Sequence, residues 1–307
     1  MRMTRPYRLG TRESPLALAQ AHLVAAALRA AHGWEEGRIG IVPIRTSGDR
    51  IQDRPLAEIG GKALWTKELD RALGDGAIDF AVHSMKDVET IRPAEIAIAA
   101  MLPRADVRDR LIGADSLEAL PPGAVIGTSS PRRAAQLRRA RPDARIVMFR
   151  GNLDTRLARL ARGEADATLL AAAGLDRLGR PAIGAPIPVE TMLPAAAQGA
   201  VGVETLAANG EMRALLAAID DRATSRCVLA ERALLAALGA GCHSPVAALG
   251  MCEGERVRLR AEISGEDGRE CIAGEALVGA DMAADVAPLA RDLLARAGPA
   301  LRALFTG

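Results

Sequence analysis

Residues 124–133 have the sequence AVIGTSSPRR. The apolar start of this stretch predicts a short buried β-strand over residues 124–127. Ser130 followed by Pro131 predicts a helix start, because a serine hydroxyl accepts hydrogen bonds from the first free amides and proline fits the first helical turn. A strand, a polar turn and a capped helix form the repeating unit of α/β sheets, whose ligands bind beyond the carboxyl ends of the strands.

The same pattern recurs along the chain. A strand predicted over residues 7–10 precedes Ser14 and Pro15, which predict another helix start. Apolar runs predict further strands at residues 38–46, 78–82, 145–149 and 167–170, with helices at residues 62–73 and 153–162. Because the alternation restarts after Pro103, we expect two α/β domains with largely parallel sheets.

The C-terminal part has a different pattern. It predicts a helix at residues 221–238, strands at residues 246–251, 257–263 and 270–278, and a long amphipathic helix at residues 282–304. The glycine-containing turn at residues 265–268 links the last two strands as a hairpin. We therefore expect a smaller α+β domain with an antiparallel sheet.

Composition excludes several classes of protein. The length of 307 residues suggests two or three domains, and three Phe, two Trp and one Tyr are too few for stacking-based binding of single-stranded nucleic acid. A balance of 40 basic against 38 acidic residues does not suggest a protein that coats a polyanion. Residues 233–252 carry no charge, but the helix breakers at residues 239–245 predict helix, loop and strand instead of a membrane span.

The N-terminal residues and the cysteines indicate the compartment. The first residues contain no apolar run typical of a signal peptide, so we expect a cytoplasmic protein. The cysteine spacing is not that of a disulfide framework and predicts free thiols. Cys242, His243 and Cys252 lack the paired spacing of zinc ligands, so no metal site is expected.

Arginine is in large excess over lysine. All the basic residues except Lys62, Lys67 and Lys86 are arginines. Arginine suits a bidentate grip on carboxylate or phosphate, but a GC-rich genome also favours it. The positions of the arginines must therefore decide between these interpretations.

Polar side chains cluster at four junctions between a predicted strand and the next helix. The junctions lie at residues 11–14, 83–87, 128–133 and 150–156, and each combines a hydroxyl or amide side chain with a cation. One such junction is usually a solvated helix cap, whereas four favour a polyanionic ligand bound by both domains. Arg132 and Arg133 also oppose the positive end of their helix dipole, which is unfavourable unless an anion compensates them.

Asp87 and Cys242 each have two interpretations. Asp87 is the only carboxylate of its junction and suits stabilisation of a cation, but an aspartate there can simply cap the next turn. Cys242 lies in a glycine-flanked, uncharged loop that can present a thiol to a cleft, but most loop cysteines are structural. Spacing alone does not separate these alternatives.

Taken together, these segments resemble the porphobilinogen deaminase family, also called hydroxymethylbilane synthase. The matching segments follow one another in the family's order from residue 10 to residue 245: GTRESPLAL at 10–18, TSGD at 46–49, GGK at 60–62, HSMKDV at 83–88, GTSS at 127–130 with Arg132 and Arg133, RGN at 150–152 with TRL at 155–157, QG at 198–199, and GC at 241–242 with Pro245.

The resemblance implies a three-domain enzyme of tetrapyrrole biosynthesis. Domain 1 would contain residues 1–103 and 197–219, domain 2 residues 104–196 and domain 3 residues 220–307, with domains 1 and 2 similar to periplasmic binding proteins. The family joins four porphobilinogen units with loss of ammonia onto a covalent dipyrromethane cofactor and releases linear hydroxymethylbilane by hydrolysis. Porphobilinogen and the growing chain would be the partners of a monomer that binds neither nucleic acid nor membrane.

The resemblance also implies roles for individual residues. Asp87 would be catalytic, Cys242 would carry the cofactor through a thioether, and Lys62 would lie in a mobile lid at residues 46–63. Cofactor binding would fall to Ser84, Lys86, Thr128, Ser129, Ser130, Arg132 and Arg133. Substrate binding would fall to Arg12, Ser14, Arg150, Arg156, Arg177 and Gln198.

Four positions depart from the family's usual pattern: Glu58, Trp65, Glu89 and Ala240. Glu58 weakens the expectation of a wholly cationic lid. Trp65 replaces a common Phe, and Glu89 replaces a frequent Pro. The alternative function, from a different class, is a non-catalytic two-domain clamp that binds an anionic small molecule.

Overall fold

The computed structural model describes residues 5–46, 65–241 and 244–305. These residues divide into two compact units. The first unit comprises residues 5–46, 65–105 and 200–225, and the second comprises residues 106–199, 226–241 and 244–305. The chain therefore passes from the first unit to the second and back again before it ends in the second.

The strands of the described chain, in order, are β1 (Tyr7–Arg12), β2 (Ile39–Ile44), β3 (Phe80–Ser84), β4 (Ile96–Met101), β5 (Asp109–Ile112), β6 (Val125–Gly127), β7 (Arg145–Val147), β8 (Ala167–Ala171), β9 (Ala185–Pro186), β10 (Val201–Leu206), β11 (Val246–Glu253), β12 (Arg256–Ser264) and β13 (Cys271–Val278). The helices are α1 (Pro15–His32), α2 (Lys67–Gly74), α3 (Pro131–Ala140), α4 (Leu153–Ala161), α5 (Ala172–Arg177), α6 (Gly210–Ala217), α7 (Arg222–Ala237), α8 (Met282–Arg296) and α9 (Pro299–Ala303), with a short 3-10 helix at Met85–Asp87.

Each unit contains a five-stranded sheet, and the two sheets share one pairing pattern. The strand orders are β2-β1-β3-β10-β4 in the first unit and β7-β6-β8-β5-β9 in the second. The first three strands of each sheet pair in parallel, whereas β10 and β5 pair antiparallel with both of their neighbours. Four strands of each sheet thus run one way, as predicted.

Apolar side chains on the sheets and helices form separate cores. In the first unit, Leu9 of β1, Val24 of α1 and Val203 of β10 belong to one cluster. In the second unit, Leu111 of β5, Ile126 of β6 and Leu169 of β8 form another. β1 and β3 in the first unit, and β6 and β8 in the second, are parallel neighbours, so the carboxyl ends of each pair lie at one edge of the sheet.

The C-terminal strands β11, β12 and β13 form an antiparallel sheet against which α8 packs. The predicted fold class, two α/β sheets and a smaller antiparallel sheet, is confirmed. One helix prediction is wrong, because the helix expected over residues 282–304 is two helices separated at Ala297 and Gly298. Pro299 disfavours helical backbone at the residue before it and starts the second helix instead.

Candidate functional site

The polar residues of the first unit meet in one pocket. Parallel pairing of β1 with β3 brings the ends of these strands together. Arg12 ends β1, Ser14 caps α1 and Ser84 ends β3, while Asp87 lies on the 3-10 helix that follows β3. All four of these side chains line the pocket. Two junctions that are far apart in the sequence therefore contribute to one site.

Two further residues of this pocket were not predicted from the sequence. Gln20 is only 2 % exposed, and its Nε2 donates to Ser84 Oγ over 2.7 Å. The Arg12 guanidinium lies over the Trp65 ring at 3.9 Å from the ring centroid, a cation–π contact. Gln20 could have been found from the sequence as a polar residue on the otherwise apolar face of α1. Trp65 was noted only as a departure from the family's pattern.

Three hydroxyls of the second unit lie between β6 and α3. Thr128 is buried, and its Oγ1 accepts from the Ser130 amide over 3.2 Å. Ser130 caps α3 by accepting from the Arg133 amide over 3.4 Å, and the half-buried Ser129 lies between them. The predicted strand, turn and capped helix are therefore confirmed as local structure, and their roles toward a ligand stay predictions.

Arg132 and Arg133 are 4 % and 6 % exposed and face a carboxylate of their own chain. Asp109 accepts from Arg132 Nη2 over 2.8 Å, from Arg133 Nη2 over 2.7 Å and from Arg133 Nε over 3.1 Å. Arg133 Nη1 also donates to the carbonyl oxygen of Leu169. The compensating anion that the sequence required is thus at least partly internal.

Asp109 is the residue of this cluster that the sequence did not reveal. Burial acts to raise the pKa of its carboxyl, but Arg133 and Arg132 outweigh burial and hold that pKa well below its usual range. Two guanidiniums share this one carboxylate, so the three side chains together carry a net positive charge.

Arg150 and Arg156 flank the start of α4. Asn152 caps this helix, and its Oδ1 accepts from the Thr155 amide over 2.9 Å. Arg156 Nε donates to the Gly151 carbonyl oxygen over 3.1 Å. Arg150 Nη1 is buried and has no hydrogen-bond partner among the described residues. A buried guanidinium donor that lacks a partner suits an anionic ligand, because an unsatisfied charged donor is costly.

Arg177 and Gln198 bind the chain near its return to the first unit. Arg177 Nη2 donates to the Gly199 carbonyl oxygen over 2.6 Å, and burial lowers the pKa of its guanidinium. Gln198 Nε2 donates to the Val107 carbonyl oxygen and to Asp109 Oδ1, both over 2.8 Å. Both side chains therefore have structural partners, and their substrate-binding roles stay predictions.

Three predicted site residues need separate comment. Lys86 is half-buried on the 3-10 helix beside Asp87. Lys62 and Cys242 lie outside the described residues.

Within the described ranges, no helix is both long and apolar enough to cross a bilayer.

Comparison with known proteins identifies the family. Residues 7–214 match the family model described as porphobilinogen deaminase, dipyromethane cofactor binding domain, and residues 225–295 match porphobilinogen deaminase, C-terminal domain. Porphobilinogen deaminase from Sphingopyxis alaskensis is 59% identical over 98% of this chain and 96% of its own length. The Paracoccus denitrificans protein of the same name is 52% identical over 95% of this chain and 95% of its own length.

The matches among solved structures are more distant. The second substrate binding domain of a putative amino acid ABC transporter from Streptococcus pneumoniae is 15% identical, with a TM-score of 0.42, over 69% of this chain and 90% of that one. A double mutant of the Bordetella pertussis BvgS VFT2 domain is 16% identical, with a TM-score of 0.37, over 70% of this chain and 85% of that one. On the family models and the near full-length relatives, the chain belongs to the porphobilinogen deaminase family.

Proposed function

We propose that the chain joins four porphobilinogen molecules, with loss of ammonia at each addition, and releases linear hydroxymethylbilane by hydrolysis. Membership of the family supports the reaction. The observation in this chain that carries the proposal is the pocket of the first unit, in which Asp87 is the carboxylate among Arg12, Ser14 and Ser84. A pyrrole that bears carboxylates needs both kinds of group, cations for its side chains and an acceptor for its ring N–H.

Asp87 is assigned the catalytic role. Departure of ammonia from porphobilinogen leaves positive charge on the pyrrole, and attack by a second pyrrole places charge on that ring as well. A fixed carboxylate within hydrogen-bond reach of the ring nitrogen stabilises both charges more in the transition state than in the ground state. The 3-10 helix and the end of β3 hold Asp87 at the pocket wall.

The described residues fit the dipyrromethane cofactor that the family model names. Its carboxylates require donors, and Arg150 Nη1, Arg132 Nε and the hydroxyls of residues 128–130 can supply them. When bound, the group provides the pyrrole carbon to which the first substrate is joined. We assign its attachment to Cys242 and its binding to Ser84, Lys86, Thr128, Ser129, Ser130, Arg132 and Arg133.

The substrate carboxylates are assigned to Arg12, Ser14, Arg150, Arg156, Arg177 and Gln198, and Lys62 to the lid. Of these, Arg12 has the most defined position, since its guanidinium is stacked on Trp65 and faces the pocket with Asp87. A partition into three domains, a monomeric state and a cytoplasmic location also stay proposals.

The test replaces Asp87 by Asn, which keeps shape but removes the charge. We expect Asp87→Asn to fold, to keep the mass of the covalent cofactor, and to lose about 10²-fold or more in the single-turnover rate of ammonia release, by analogy with loss of an oxyanion-hole donor. The matched control is Asp75→Asn, at an exposed aspartate of the same unit. Equal rates in the two variants would remove Asp87 from the chemistry.

Intact mass separates the enzyme from the clamp. We expect Cys242→Ser to lack the added mass, because a hydroxyl is a far weaker nucleophile than a thiol, and Cys227→Ser to retain it. A wild-type protein with no added mass and no ammonia release would favour the non-catalytic clamp instead.

A further inference from the structure

A buried cluster of charged residues lies behind the pocket of the first unit, and the proposed mechanism does not use it. Its centre is Arg92, whose side chain is 7% exposed and which lies in the loop before β4. Arg92 Nη2 donates to Asp70 over 2.5 Å and Arg92 Nη1 donates to Glu89 over 2.6 Å. Both nitrogens Nε and Nη2 donate to Glu204 over 2.9 Å.

The guanidinium is fully used. Arg92 Nη1 makes one more bond, to Thr66 Oγ1 over 3.2 Å, so the five N–H donors of the guanidinium have five acceptors. The guanidinium is a rigid plane, and these acceptors are therefore fixed relative to one another. A lysine has only three donors on one nitrogen and cannot reproduce this arrangement.

Thr66 does not act as an ordinary helix cap. It is the N-cap residue of α2 and is fully buried, but its side chain makes no capping hydrogen bond. Its hydroxyl instead donates to the Glu89 carboxylate, whose two oxygens lie at 2.8 and 2.9 Å. A side-chain cap normally stabilises a helix, so the Thr66 hydroxyl binds the charged cluster at the cost of capping α2.

Three of the residues that accept from Arg92 are next to, or in contact with, residues that line the pocket. Thr66 is next to Trp65, and Glu89 is next to Val88, and both Trp65 and Val88 line the pocket. Glu204 lies 3.2 Å from His83 Nε2, and His83 also lines the pocket, one residue before Ser84. Through Thr66, Glu89 and Glu204, the Arg92 guanidinium thus links the three segments of the pocket wall that contain Trp65, Val88 and His83.

We propose that Arg92 is a positioning residue for this pocket: through Thr66 it fixes Trp65, and through Trp65 it fixes the direction of the Arg12 guanidinium. The inference rests on the proposed role of Arg12 toward substrate carboxylates. The inference also links Trp65 and Glu89, two positions at which the chain departs from the family's usual pattern. The Glu89 carboxylate binds both Arg92 and Thr66, the residue after Trp65.

The charges of the cluster agree with this role. Burial acts to lower the pKa of Arg92, but Glu204 and Asp70 outweigh burial and raise it, so the guanidinium stays charged. Burial acts to raise the pKa of Glu204, and His83 and Arg92 bring it down to about 2. Near neutral pH, the Arg92 guanidinium is therefore protonated and the Glu204 carboxylate that accepts from it is ionised.

The test uses Trp65 as its own reporter. The chain has two tryptophans, and Trp34 lies elsewhere, stacked on Tyr7 and His32, so Trp34→Phe leaves Trp65 as the only tryptophan. In that background, Thr66→Val removes the hydroxyl at nearly constant volume and Arg92→Lys keeps the charge without the fork. The matched controls are Thr191→Val and Arg71→Lys, at exposed positions.

We expect both cluster variants, without added substrate, to show lower Trp65 fluorescence anisotropy and stronger quenching by acrylamide than their controls. We also expect KM for porphobilinogen to rise roughly tenfold with a much smaller change in kcat, since a misdirected charged hydrogen bond weakens binding by about that factor.

The outcomes separate the steps of the inference. Unchanged anisotropy and quenching in both variants would overturn it, and Thr66→Val keeps this test available if Arg92→Lys does not fold. Lower Trp65 anisotropy together with an unchanged KM would overturn the inference that Trp65 fixes the direction of the Arg12 guanidinium. If no variant and no parent released ammonia, the proposed function would fail, and the fluorescence would still decide whether Arg92 fixes Trp65.

Discussion

At the scale of single residues, the most consequential partner in the second unit is Asp109. Its side chain is fully buried and accepts from Arg132, Arg133 and Gln198. The sequence indicated that two arginines at a helix start need an anion, but it did not indicate which one. The answer depends on β5, which brings Asp109 beside α3 from more than twenty positions earlier in the chain.

Replacement of Asp109 by Ala leaves two guanidiniums buried without their shared carboxylate. We expect Asp109→Ala to lower the free energy of unfolding by about 3 to 5 kcal/mol, the usual result of removing one partner of a buried ion pair. Urea unfolding measures this loss. Asp143→Ala, which removes the exposed partner of Arg141, is the matched control and should change stability far less. Similar losses in both variants would contradict the structural importance of Asp109.

At the scale of elements, the features that depend on neighbouring residues could be predicted from the sequence. The strands that depend on tertiary pairing could not. Ser14 and Ser130 were predicted to start helices and do so, because a cap is decided by a few neighbouring residues. The strands β4, β5 and β10 were not predicted. Their pairing partners are distant in sequence, as with β10 on β3, so no short window contains the reason for their formation.

The candidate site shows the same division. The polar junction that contains Ser84 and Asp87 was found from its place after a predicted strand. Gln20 was missed because the tertiary contact of α1 with the end of β3 decides its role. Arg92 was missed for the same reason, since three of the four residues that accept from it, Thr66, Asp70 and Glu204, lie more than twenty positions away in the sequence.

The turn before α4 gives a prediction at this scale. Gly151 has φ of 108°, and a Cβ there would lie 2.6 Å from Thr155 Cγ2, which is closer than side chains pack. We expect Gly151→Ala to cost about 1 to 3 kcal/mol, through backbone strain and this clash, and to displace Arg150. Thermal unfolding measures the loss.

Gly163→Ala is the matched control for this turn. Gly163 also has a positive φ, 72°, but a Cβ there meets no atom within 4 Å. It should therefore show the cost of the backbone conformation alone, about 1 to 2 kcal/mol. If Gly151→Ala were no more harmful than Gly163→Ala, the close approach to Thr155 would be irrelevant to stability.

At the scale of the whole molecule, each five-stranded sheet contains one strand that directly follows a passage of the chain from one unit to the other. β5 follows the passage into the second unit, and β10 follows the return to the first. The first unit is therefore discontinuous in sequence, and its β3–β10 pairing closes it. Glu204 of β10 lies at this closure, where it contacts His83 of β3 and Arg92. The stability of the unit should depend on the charge of that carboxylate.

Acid titration tests this dependence. The pKa of Glu204 is about 2 in the folded protein, and that of Asp79, which binds Arg5 and Arg8, is also about 2. Because these values lie below the ordinary carboxyl range, the charged groups stabilise the fold fully above about pH 4.5 and lose that contribution as pH falls toward 2. Urea unfolding at a series of pH values should therefore show stability falling across this window.

Glu204→Gln should remove part of that pH dependence. At neutral pH we expect the variant to be less stable than wild type by about 3 to 5 kcal/mol, because Arg92 and His83 lose a buried carboxylate. As pH falls from 4.5 toward 2, wild-type Glu204 takes up a proton and comes to resemble glutamine, so the difference between the two proteins should shrink. Glu95→Gln, at an exposed position of the same unit, controls for the substitution itself. A difference between wild type and Glu204→Gln that stays constant from pH 7 to pH 2 would show that the charge of Glu204 does not stabilise the closure of the first unit.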